Sequence, residues 1–165
     1  MKSYKLPVMG IALMLLIASC KKEDVRQTTT DNVSSGTASK AKWNSLSSWQ
    51  NSKTENITTY FSRLTDSSIT NDVVNEGMVL VYKKTGNEIQ ALPILEKGNK
   101  TYWYYQVAKG SIRINSDNND GQNLGTQTFS YLVVTPEHLS KLEASGKTKL
   151  DLLQLSYDQA SSLIK

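Results

Sequence analysis

The chain has 165 residues, with 19 Lys and Arg against 15 Asp and Glu, one His and one Cys, for a formal net charge of +4. A single cysteine rules out an intrachain disulfide, and one cysteine with one histidine argues against a zinc site, which draws on several thiolate or imidazole ligands. If residues 1–19 are removed as a leader, Lys2 and Lys5 leave with them, and 146 residues at a charge of +2 remain: enough for one domain, and no basic patch for nucleic acid.

Lys2 and Lys5 open the chain, and residues 6–17 form an apolar run broken only by Pro7 and Gly10. That length suits the apolar region of a signal peptide and is too short for a bilayer span, which needs about 20 apolar residues. Ile17-Ala18-Ser19-Cys20 follows, an aliphatic residue, two small ones and a cysteine. The stretch resembles the bacterial lipobox. The resemblance implies cleavage before Cys20 and lipidation of its thiol, with palmitate among the acyl groups. Several acyl chains hold a protein firmly where one holds it marginally, so the expected state is anchored to the membrane and not spanning it. Residues 20–40, which include RQTTTDNVSSGTASK at 26–40, hold too little apolar surface to order themselves and read as a lipidated flexible tether. The folded domain is expected over residues 41–165.

Trp43 and Trp49 are six residues apart, an even spacing that fits one face of a strand, while Leu46 between them is out of that phase and leaves a helical turn open. Residues 57–64 (ITTYFSRL) are β-branched and aromatic, as in a strand. Thr70 is placed to cap a single helical turn, with Asp72 in its first turn and Gly77 closing it in the left-handed conformation. Residues 78–83 (MVLVYK) are the clearest strand, and a turn over 83–87 leads into a partner strand over 88–95, in which Pro93 indicates an edge or a strand end. Strands are also expected at 101–107 (TYWYYQV), 111–115 (SIRIN) and 127–134 (QTFSYLVV), with a loop over 116–125. Thr135-Pro136-Glu137 opens a short helix that ends near Gly146. Residues 150–155 read as a last strand, and Ser156 with Gln159 forms a capping box before a closing helix that carries Ala160, Leu163 and Ile164. Short strands with frequent turns give a mainly β protein, an antiparallel β-sandwich with short helices, one of them at the C-terminus.

TNDVVNEGMVLVY at 70–82, ALP at 91–93, YWYYQV at 102–107, DNNDG at 117–121 and FSYLVV at 129–134 together resemble a group of Bacteroidota outer-membrane lipoproteins of unknown function that carry a small β-sandwich domain. The likeness covers residues 43–165. It implies a sandwich fold and an outer-membrane, lipid-anchored location, extending to the cell surface, and it brings no activity. Lys21-Lys22-Glu23-Asp24 looks like the acidic stretch that favours export to the outer leaflet in such proteins, diluted by its two lysines.

No catalytic motif stands out. His138 lies in the first turn of a short helix, and no serine sits in a G-x-S-x-G elbow, so an enzyme is not expected. Asp117, Asn119 and Asp120 are weak calcium ligand candidates, because the spacing departs from the calcium-loop pattern and no closing glutamate follows. No cofactor is expected. The most suggestive cluster is Tyr102, Trp103, Tyr104 and Tyr105: alternation sends Trp103 and Tyr105 one way and Tyr102 and Tyr104 the other, so one pair enters the core and the second can meet a glycan or protein partner. The expectation is a non-catalytic, membrane-anchored binding or structural module; a glycan-binding accessory of a nutrient-uptake system comes second, and a hydrolase third.

Overall fold

A computed structural model describes residues 42–55, 57–98, 100–118 and 123–164. The signal, the lipobox with Cys20 and the tether lie outside the described residues, as do Asn119 and Asp120.

Among the described residues, nine strands form two antiparallel sheets. The first has four strands in the order β1 (Asn44–Leu46), β9 (Gln127–Val134), β4 (Met78–Thr85) and β5 (Glu88–Ala91). The second has five, in the order β2 (Gln50–Thr54), β3 (Ile57–Thr65), β8 (Ser111–Asn118), β7 (Thr101–Ala108) and β6 (Ile94–Glu96). The protein is thus mainly β, with two antiparallel sheets and short helices.

Side-chain alternation explains the layering. On β4, Val79 and Val81 enter the core between the sheets, whereas Leu80 and Tyr82 enter a second core on the other side. On β9, Phe129 and Val133 face the first core, and Leu132 and Val134 the second. Both strands are covered on both faces, which is why MVLVY and FSYLVV read as nearly unbroken apolar runs. The second core is closed by α2 (Pro136–Ala144), α3 (Lys149–Leu153) and α4 (Tyr157–Leu163), through Leu139, Leu142, Leu152 and Ala160. β8 alternates instead: Ile112 and Ile114 are buried in the inter-sheet core, and Arg113 and Asn115 lie at the opposite register positions. Among the described residues, neither buried cluster includes the far face of the five-stranded sheet.

Several expectations are corrected. Trp43 and Trp49 do not share a face: Trp43 packs on Tyr157 of α4, ring centroids 5.0 Å apart, while Trp49 packs on Trp103 and Phe129 between the sheets. The strand expected over 88–95 is two strands. It breaks at Leu92-Pro93, where the chain leaves the edge of one sheet for the edge of the other. The loop expected from residue 116 starts later, because β8 runs to Asn118. Residues 150–155 hold no strand: Thr148 and Asp151 form a reciprocal capping box that nucleates α3 in its place. The N-terminal caps of α1 (Asn71–Asn75), α2 and α4 are as the sequence indicates, with Thr70, Thr135 and Ser156 accepting from the third backbone N–H beyond, whereas Gly77 does not close α1 in the left-handed conformation.

Candidate functional site: the open face of the five-stranded sheet

Antiparallel register sorts the aromatic strand. Trp103 pairs with Ser116 and Tyr105 with Ile114, all on the core side, whereas Tyr102 pairs with Asp117 and Tyr104 with Asn115 on the far side. Trp103 is 1% exposed and lies 5.6 Å from the Phe129 ring, so it is a core residue and not a ligand platform. Tyr105 is half-buried and donates its hydroxyl to the Val79 carbonyl at 2.7 Å, tying β7 to β4 of the other sheet. Of the four aromatic candidates, only Tyr102 and Tyr104 stand on the open face. Tyr102 is 41% exposed, and the two rings stack with centroids 5.5 Å apart and planes 23° apart.

The open face is ordered in rows across the strands. The first row holds Leu95 of β6, Tyr102, Asp117 and Thr59; the second Tyr104, Asn115, Phe61 and Gln50; the third Gln106, Arg113 and Arg63. Asp117 accepts from Thr59 Oγ1 at 2.6 Å and from Tyr104 Oη at 3.4 Å. Burial and the neighbouring Asp117 carboxylate raise the Tyr104 hydroxyl above its usual pKa, with Thr59 and Arg113 pulling the other way. The Arg113 guanidinium carbon lies 3.8 Å from the centre of the Phe61 ring, and its Nε is shielded from solvent with no acceptor. Leu95 is 59% exposed and widens the apolar part of the face.

Asp117, the described member of the calcium candidates, is thus engaged on a strand by a hydroxyl pair; Asn119 and Asp120 lie outside the described residues. Among the described residues no group of three or more His, Cys, Asp or Glu converges as metal ligands. His138 is half-buried, with Nε2 3.3 Å from the Leu163 carbonyl, and bridges α2 to the end of α4.

Protein-family models, curated proteins and solved structures were each compared with the chain, and none matches.

Sequence reasoning isolated the Tyr102 and Tyr104 positions but missed Phe61, Arg63 and Arg113. Alternation in SIRIN marks Arg113 as outward, yet nothing in one sequence says that β3 lies beside β8 and sets Arg63 opposite it. A recess of about 330 Å³ opens where the edges of β5 and β6 meet, lined by Thr85, Glu88, Gln90, Leu95, Glu96 and Lys97. Its Glu96 is held by Lys83 Nζ at 2.5 Å, and its Glu88 accepts from Gln90 at 2.8 Å.

Proposed function

We propose that this protein is a non-catalytic lipoprotein of the Bacteroidota outer-membrane kind, anchored through Cys20, whose β domain is a binding module held off the bilayer by residues 20–40. The observation that carries the binding role is the asymmetry of the two sheets. The four-stranded sheet is sealed on both faces, whereas the five-stranded sheet leaves the stacked Tyr102 and Tyr104 at its surface. The lipobox supports the anchor. Cells fed radioactive palmitate should label the wild-type chain and leave Cys20→Ser unlabelled and released from the membrane fraction; an unlabelled wild type overturns the anchoring.

The tyrosine pair favours a glycan over a protein ligand, because adjacent rings on the sheet offer sugar rings a stacking surface beside the half-buried polar groups of Asp117 and Thr59. The module then serves as a glycan-binding accessory of nutrient uptake. On a glycan array, wild type should give hits that Tyr102→Ala with Tyr104→Ala abolishes, and Trp103 should matter only through stability. A blank array removes the glycan reading.

A further inference from the structure

Arg63 and Arg113 occupy directly opposite positions on β3 and β8. Cross-strand partners have Cβ atoms about 5 Å apart, and like charges placed so destabilise a sheet unless something neutralises them. Among the described residues neither arginine is in an ion pair; the salt bridges are Lys83 with Glu96 and Lys141 with Glu137, both elsewhere. The carboxylate nearest along the same face of β8, Asp117, is four residues from Arg113, roughly 13 Å along the strand, and it is already occupied by Thr59 and Tyr104. Gln106 completes the row beside Arg113 with a further amide donor. Phe61 covers one side of the Arg113 guanidinium, which fixes its plane; with Nε shielded, the terminal Nη–H groups are the ones directed in that plane, where a planar or tetrahedral oxyanion can take two of them. Tyr104 lies diagonally across from Arg113 and is stacked on Tyr102. The face therefore runs from paired cations at one end to stacked rings at the other.

We propose that this face binds an anionic polysaccharide, with Arg63 and Arg113 holding a carboxylate or sulfate on one sugar while Tyr102 and Tyr104 stack against the neighbouring part of the chain. The proposal rests on the reading of this face as the binding surface, and it names the ligand class. The bound anion supplies the countercharge that the described residues do not provide. An arginine stacked on an aromatic ring is also prepaid in side-chain entropy, so most of its hydrogen-bond energy is available to the ligand.

Affinity electrophoresis of the full chain in mild detergent tests this, in gels carrying polygalacturonate, dextran sulfate or uncharged dextran. Retardation by an anionic polymer is expected, weakened at least tenfold in Arg63→Gln with Arg113→Gln, and weakened in Tyr102→Ala. Retardation by polygalacturonate alone assigns a carboxylate, and by dextran sulfate alone a sulfate. Arg63→Glu guards against misfolding of the double variant: Arg63 is exposed, and a carboxylate opposite Arg113 relieves the like-charge pairing, so this variant should unfold at or above the wild-type midpoint while losing retardation. Lys147→Gln with Lys149→Gln removes the same charge from exposed positions before and at the start of α3 and should bind as wild type; an equal loss there means ion exchange and overturns the site. Retardation by uncharged dextran that is abolished by Tyr102→Ala and indifferent to both arginines overturns the anionic ligand but keeps the binding face. Retardation by no polymer overturns this inference, and the glycan reading falls with it only where the array is blank as well.

Discussion

Lys83 stands at an inward register position of β4 and is 2% exposed, yet it is charged. Its ammonium is held by Glu96 of β6 at 2.5 Å and by Thr85 Oγ1 at 2.7 Å, and it lies 5.0 Å from the centre of the Trp103 ring. Each contact offsets part of the desolvation of a buried cation, and together they join inner strand β4 of one sheet to edge strand β6 of the other. The two halves of the pair are not equivalent, because Glu96 keeps 20% of its side chain in water. Glu96→Ala strands a buried ammonium and should cost about 3–5 kcal/mol, whereas Lys83→Met leaves a carboxylate that water can still reach and should cost less than half of that. Urea unfolding midpoints of the two variants check the order; equal losses contradict the account. The sequence shows Lys83 only as the end of a strand beside a turn, since its partner arrives from the other sheet after the chain crosses over at residues 92–93.

Gly77 ends α1 for a reason the sequence does not reveal. The left-handed closing conformation expected there is absent: Glu76 caps the helix at φ −122°, and Gly77 does not have a positive φ. Space is what excludes a side chain, since a Cβ at Gly77 would lie 2.5 Å from the Val134 carbonyl oxygen and 3.0 Å from the Val73 Cα. Gly77→Ala should therefore destabilise by about 1–3 kcal/mol, as overpacking does, by forcing α1 away from β9. A chemical-denaturation midpoint at or above wild type would contradict this. α3 is the opposite case. Its capping signal, Thr148-x-x-Asp151, stands in the sequence, but the apolar run LDLL competes with it, and period alone does not separate a short buried helix from a short strand. The second core on the outer face of the four-stranded sheet is covered by α3 through the buried Leu152, so the helix wins. Ser156→Ala breaks the capping box of α4 and should cost about 1 kcal/mol, read as a small drop in melting temperature with the sheet signal unchanged.

Three tyrosine hydroxyls tie the layers of the whole domain together, and each does so by donating. Tyr105 of the five-stranded sheet reaches the Val79 carbonyl of the four-stranded one, Tyr131 of β9 reaches Asp66 Oδ2 at 2.8 Å, and Tyr82 of β4 reaches the Leu155 carbonyl at 3.3 Å, between α3 and α4. A phenolate cannot donate, and all three environments resist forming one. Burial, with Tyr105 and Tyr157 nearby, pushes Tyr82 up to about 12; burial raises Tyr105; and burial with the Asp66 hydrogen bond raises Tyr131 further. An unfolded tyrosine titrates near 10, so the folded chain holds protons that the unfolded one releases. The stabilisation is complete below about pH 10 and is lost as pH climbs to about 12 and beyond. Denaturant midpoints should hold steady up to about pH 10 and then fall, and replacing these tyrosines with Phe should flatten that fall; a fall of the same steepness in the Phe variants contradicts the linkage. Most of the strands, the sandwich class, the caps at Thr70, Thr135 and Ser156, and the lipobox expectation came from the sequence alone, because each depends on residues within a few positions of one another. Alternation even separated Trp103 and Tyr105 from Tyr102 and Tyr104, but without saying which pair met the core. Only the tertiary structure chose that pair, sealed one sheet with helices, left the other open and set Arg63 beside Arg113, because those outcomes depend on which strands become neighbours, and neighbours here join residues as far apart in the chain as β3 and β8.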